Sequence, residues 1–164
     1  MSQQDLSLVD AIQIAMEAEQ KAAVFYADGA QKTGNPAGKS LFEQLAEFER
    51  YHYQKLSELK QSLRDRGAFI EYEGRKLLPP AHEIKATQEP NKMSLMGIIT
   101  VAIETEREAE KRYVALAQQT VDPKGRAMFN KLAKEEHSHY RVLGEGYRHR
   151  ERGARRWDER VRGR

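Results

Sequence analysis

The sequence predicts an all-α fold: a four-helix bundle of two repeated helical hairpins, one long crossover and a basic C-terminal tail. Three observations predict it. Apolar residues recur at helical spacing through most of the 164 residues. The first half also falls on the second without a gap: Ser7 on Ser94, Ile12 on Ile99, Glu19 on Glu106, Tyr26 on Tyr113, Pro36 on Pro123, Gly38 on Gly125, Phe42 on Phe129, Glu49 on Glu136, His52 on His139 and Leu56 on Leu143. Self-similarity of this kind implies two units related by a pseudo-twofold axis. Between the halves, residues 67–93 lose the period and carry Gly67, Gly74, Pro79, Pro80 and Pro90. A connection that long can travel the length of a bundle, so helices two and three can run parallel.

Composition agrees. The chain has 28 basic and 25 acidic residues, interspersed, which suits long solvated helices better than a sheet. It has no cysteine, which excludes disulfides, thiolate metal sites and iron–sulfur clusters. The N-terminus lacks a basic region followed by an apolar run, so no secretion signal is expected. No apolar run is long enough for a membrane span, and a cytoplasmic location is the default expectation.

In chain order, Ser7 is the expected N-cap of helix one, with Asp10 as its capping-box partner. The core stripe then reads Ile12, Met16, Glu19, Ala22, Ala23 and Tyr26, and Gly34-Asn35-Pro36 ends the helix. Helix two runs from about residue 37 to 66 and presents Phe42, Leu45, Glu49, His52 and Leu56. By the repeat, helix three begins at Ser94; helix four is expected to end near Leu143, the last matched position. One domain, 1–143, therefore holds hairpins at about 7–66 and 94–143 with the crossover at 67–93. The extension 144–164 carries eight Arg, four acidic residues and Trp157. Its interior acids and lack of interleaved aromatics argue against nucleic acid and for a solvated or docked tail.

The chemistry lies in the polar residues on the apolar stripes. Glu49 and His52 are three apart, as are Glu136 and His139, so each Glu-x-x-His pair shares one helix face. Glu19 and Glu106 add a carboxylate from each remaining helix. A Glu from two helices and a Glu-x-x-His from the other two is the inward ligand set of di-iron and di-manganese carboxylate bundles. Four buried carboxylates without a cation would repel one another and take up protons. The competing reading is a bundle whose core polar groups only set register, or whose Glu and His face water. Repetition of all six positions weighs against it.

These residues also carry a resemblance. AMEAEQKAAVFY and AIETEREAEKRY, with LFEQLAEFERYH and MFNKLAKEEHSH, resemble the rubrerythrin family of the ferritin-like superfamily over about Leu6 to Leu143. The resemblance implies a ferritin-like bundle in which Glu19, Glu49, His52, Glu106, Glu136 and His139 bind two iron ions, with manganese or a mixed pair as alternatives. It implies that Tyr26 and Tyr113 hydrogen-bond the ligand carboxylates. Two departures stand out. The family's full-length members carry a four-cysteine rubredoxin module, so here an external electron donor, rubredoxin-like or a flavoprotein, is expected. The family's extra carboxylate on helix three falls on Ala109. Glu110, four residues past Glu106, is the candidate substitute, with a rim charge as its alternative reading.

The function implied is a non-haem di-iron oxidoreductase that reduces hydrogen peroxide, or oxygen, to water. The alternative is a ferritin-like iron-storage protein with ferroxidase activity. A hydroxylase lacks a marked organic-substrate pocket, and a helical adaptor leaves the buried carboxylates unexplained. The backs of the hairpins differ: Val24, Phe25, Phe48 and Tyr51 fall on Lys111, Arg112, Glu135 and Ser138. The second back reads as a solvated face and the first as a covered one. A homodimer, with a swapped crossover as a variant, is the expected cover. The rival cover is the chain's own Phe69, Ile70, Leu77 and Leu78.

Overall fold

Four helices form: α1 (Gln3–Lys32), α2 (Pro36–Arg66), α3 (Lys92–Gln119) and α4 (Pro123–Arg162). The computed structural model describes residues 3–77 and 92–162, with side chains over 7–77 and 95–145. No strand occurs among the described residues.

The two hairpin turns are built alike, as the repeat requires. Asn35 caps α2, its side chain accepting from the Gly38 amide at 3.0 Å, and Pro36 opens the helix where no amide is needed. Asp122 caps α4 the same way, accepting from the Lys124 and Gly125 amides at 2.8 and 3.2 Å. Gly67 ends α2 in the left-handed region, φ 63°, with its amide bonded to the Leu63 carbonyl.

Two boundaries differ from the expectation. α1 starts at Gln3, so Ser7 is an internal helical residue rather than its cap. α4 does not stop near Leu143 but continues through the Arg-rich segment to Arg162. The repeat itself explains the second difference, because the position of Gly67 falls on Ala154, which offers no left-handed stop. The side chains of the Arg-rich segment, Trp157 included, lie outside the described residues, as do Leu78, Pro79, Pro80 and Pro90 of the crossover.

The core has two apolar layers. One gathers Ile12 and Met16 of α1, Leu56 and Leu59 of α2, Tyr113 and Leu116 of α3, and Phe129 and Leu132 of α4. The other gathers Tyr26 and Ala30, Phe42 and Leu45, Leu95 and Ile99, and Leu143. The start of α1 thus packs beside the ends of α2 and α3 and the start of α4. Helices α2 and α3 run parallel, which the crossover length allows. The polar stripe residues lie between the two layers.

The first part of the crossover is a strap laid along the groove between α2 and α4. Phe69 sits over Gly125, within 2.3 Å of where a Cβ would stand. Lys131 reaches the Tyr72 and Glu73 carbonyls. The Arg75 guanidinium lies 5.9 Å from the Phe48 and Tyr51 ring centres. Tyr51 packs against Tyr72 at 6.1 Å. Phe48 and Tyr51, two of the four residues that suggested a partner chain, are therefore covered within the chain. Phe69 and Ile70 join the first core layer and Leu77 joins the second with Phe25. Val24 remains 65% exposed.

Candidate metal centre

Each helix delivers its polar residue to one level of the core because the apolar stripe around it fixes the rotation of that helix. Glu19 comes from α1, Glu49 and His52 from α2, Glu106 from α3, and Glu136 and His139 from α4. All six are buried. They form two overlapping quartets, Glu19–Glu49–His52–Glu136 and Glu49–Glu106–Glu136–His139, each with one atom per residue within 4.8 Å of the rest. Glu49 and Glu136 belong to both. The Glu-x-x-His carboxylates thus lie between the quartets, while Glu19 and Glu106 lie one at each end.

The imidazoles confirm the direction of aim. His52 Nδ1 is 2.7 Å from Glu136 and 3.4 Å from both Glu19 and Glu49. His139 Nδ1 is 3.3 Å from Glu49, 3.5 Å from Glu106 and 3.7 Å from Glu136. In both rings Nδ1 faces the carboxylates. The rings lie 6.1 Å apart at an angle of 19°.

Tyr26 donates to Glu106 at 2.6 Å, and Tyr113 donates to Glu19. Each tyrosine serves the carboxylate of the other hairpin. Burial, followed by the charge of Glu106 or Glu19, raises both phenols well above their ordinary range, so they remain donors.

Four buried carboxylates this close together cannot all stay charged. Burial, then repulsion from Glu136, Glu19 and Glu106, holds Glu49 well above the usual carboxylate range. Burial and Glu136 push Glu106 up to about 7. Burial also opposes ionisation of Glu19 and Glu136. The neighbouring carboxyls of Glu49 and Glu106 respectively, held protonated, and the charge on His52 bring these two below their ordinary range. Burial disfavours imidazolium, but Glu19 and Glu136 raise His52 well above its usual range, and Glu106 does the same for His139.

Do these residues fit a metal? Buried atoms of Glu49, His52, Glu106, Glu136 and His139 have no hydrogen-bond partner, although their neighbours are close. A buried charged group left this way costs several kcal/mol. Near atoms that miss hydrogen-bond alignment with each other are aimed at shared points, as ligands of a cation are. The donor set, hard carboxylate oxygen with imidazole nitrogen, suits first-row divalent ions. Protons on the raised groups balance the charge, and cations would supply the same charge in their place. The residues fit.

A cleft of about 430 Å³ opens between α1 and α3 onto Glu19, Glu49, Glu106 and Glu136. Ala18, Ala22 and Ala109 line it with small side chains, and Glu17, Lys21, Glu108 and Arg112 stand around it. The opposite side of the cluster is closed by the strap.

A family model described as Rubrerythrin matches residues 1–60 and 69–160. The chain belongs to the rubrerythrin family. Membership and the buried Glu/His cluster point together to a metal site. A solved structure of a hypothetical protein from Pyrococcus furiosus is similar to this rubrerythrin-family chain, at 25% identity and a TM-score of 0.68. The similarity covers 90% of this chain and 92% of that one. No curated protein matches. No helix among the described residues is long and apolar enough to cross a membrane.

The structure brings eight of the nine expected site residues together and leaves one apart. Glu110 shares the general direction of Glu106 but sits a full turn beyond it. There it meets exposed His137 at 3.1 Å on the α3–α4 flank. It is a rim charge, and Ala109 is the residue that lines the cleft. Three residues beside the cluster were not foreseen as part of it: Phe48, Tyr72 and Glu135. Glu135 stood on a back expected to be solvated, yet it is buried and lies 3.7 Å from His52 Nε2. Phe48 packs edge-on to both imidazoles, 5.0 Å from His52 and 4.4 Å from His139. The signal was present in the repeat, because these two residues occupy equivalent positions, each one residue before a ligand Glu, and differ.

Proposed function

We propose that this protein is a non-haem di-iron oxidoreductase that reduces hydrogen peroxide, or oxygen, with electrons from an external donor. The observation that carries the reading is the pair of overlapping quartets that share Glu49 and Glu136. Glu19 and His52 would hold one ion and Glu106 and His139 the other, with Glu49 and Glu136 common to both. When bound, two ferrous ions supply the two electrons that reductive cleavage of an O–O bond consumes.

The chain's own residues do the rest. Tyr113 and Tyr26 fix Glu19 and Glu106 in orientation, so the end carboxylates do not swing to solvent through the cleft. Their phenol protons also lie beside the cluster, where reduction of peroxide to water needs protons. The alanine-lined cleft admits a molecule as small as peroxide or oxygen to the carboxylate floor. The apolar layers above and below exclude bulk water.

The test is anaerobic loading with ferrous iron, elemental analysis, and stopped-flow oxidation by each oxidant. We expect two ions per chain and faster oxidation by peroxide than by oxygen. Glu49→Ala or Glu136→Ala should lose one ion or both. A stoichiometry near zero ends the metal reading. Fast reaction with oxygen and accumulation of many ferric ions per chain makes storage the function.

A further inference from the structure

The two hairpins place the same ligands on the cluster but back them differently. Behind His52, the Glu135 carboxylate stands 3.7 Å from Nε2, the ring nitrogen turned away from the cluster. Glu135 is itself held from the strap: Tyr72 donates to Oε1 at 2.5 Å, and the Arg75 amide donates to Oε2 at 3.0 Å. Behind His139 the equivalent position is Phe48, whose ring centre is 4.4 Å from the imidazole and offers no acceptor. As the side chains stand, neither His52 Nε2 nor His139 Nε2 makes a hydrogen bond; the difference is that a carboxylate stands 3.7 Å behind His52 and an aromatic ring behind His139.

We propose that Glu135 is a positioning residue for His52, and that it makes the two metal positions inequivalent, the one beside His52 being the tighter. The inference rests on the metal reading given above and concerns how the ions are divided. A ring that gives Nδ1 to a cation must carry its proton on Nε2, and the acceptor next to that nitrogen is the Glu135 carboxylate, 3.7 Å away. A carboxylate in this place fixes the tautomer, holds the ring plane and makes Nδ1 a better donor; losing it typically costs 10–100-fold in metal affinity. His139 gains packing from Phe48 but no such partner. The strap is part of the device, because Tyr72 and the Arg75 amide leave the Glu135 carboxylate little freedom. Gly74 lets it approach: its φ is 80°, and a Cβ there would stand 3.1 Å from Lys131 and 3.4 Å from Glu135 Oε1.

The rival account makes Glu135 only a pin for the strap. Such a pin has no need to face an imidazole, and its removal would loosen the fold without distinguishing the two ions. Titration of the metal-free full chain with cobalt(II), followed by its visible absorption, separates the accounts. Wild type should bind in two resolved steps. Glu135→Gln keeps an acceptor for Tyr72 but removes the carboxylate. It should weaken the tighter step 10–100-fold and leave the weaker step in place. Tyr72→Phe should weaken the same step by less, since the Arg75 amide still holds Glu135. The inference is overturned if Glu135→Gln leaves both steps unchanged, or weakens both alike. It also fails if wild type binds two ions in one unresolved step. Wild type that takes up no cobalt overturns the metal reading as well, so the two failures are distinguishable.

Discussion

Tyr26 and Tyr113 exchange partners across the bundle, and that exchange ties the hairpins together at the level of the cluster. Each phenol is fully buried and gives its proton to a carboxylate on the facing helix. Tyr26→Phe removes the donor and leaves Glu106 Oε1 buried without it. The cost is about 1–3 kcal/mol, and each kcal/mol lowers the melting temperature of a chain this size by about 2–4 °C. Calorimetry of the metal-free variant checks this, and an unchanged melting temperature contradicts it. Glu110 shows the opposite case: a carboxylate on nearly the right face, one turn too far along, meets His137 at the surface instead of the cluster.

At the scale of elements, the strap depends on one glycine. Gly125 lies under the Phe69 ring with no room for a methyl group. Gly125→Ala must push Phe69 aside and lift the strap, at a cost of about 1–3 kcal/mol for overpacking. We expect faster hydrogen exchange at the Arg75 amide, now bonded to Glu135, with helix content unchanged. Exchange at the wild-type rate would mean that Phe69 moves without disturbing the strap. The same contrast explains what the sequence reveals. Glu19, Glu49, His52, Glu106, Glu136 and His139 are legible because period and repeat place them independently. Tyr26 and Tyr113 are legible by resemblance and repeat. Tyr72 and Arg75 are not, because a segment without period gives no rule for where it lies. Glu135 was misplaced for a related reason. A position about 100° off the ligand face is solvated on a lone hairpin, and only the neighbouring helix and the strap bury it. The length of α4 is not legible in the matched positions, because they end at Leu143 while the helix runs on past Ala154, the equivalent of the Gly67 stop.

At the scale of the molecule, the cluster links stability to pH. In the unfolded chain Glu106 titrates near 4.5, and in the folded metal-free protein it is raised to about 7. Between those values the folded state holds a proton that the unfolded state has released. Stability therefore falls as pH rises through this window. Glu49 acts in the same direction, and the raised imidazoles of His52 and His139 extend the loss above 6.5. Glu19 and Glu136, lowered from 4.5, withdraw stability only at acid pH. The melting temperature of chelated protein should thus fall from about pH 5 to 8, while that of metal-loaded protein rises, because cations replace the protons. Calorimetry of both forms across that range tests it, and a chelated protein that grows more stable toward pH 8 contradicts it.

The strap has one more consequence. Two like halves need only one joint, and an odd joint has no mate. The groove between α2 and α4 has one half on each side of it, so a single strand laid there must touch the halves through different residues. Whatever it touches is released from the demand to stay alike. Positions 48 and 135 lie under it, and they have become an aromatic ring and a carboxylate. A duplicated chain of this topology is thus asymmetric at its centre by construction, and its two hairpins are free to take up different work.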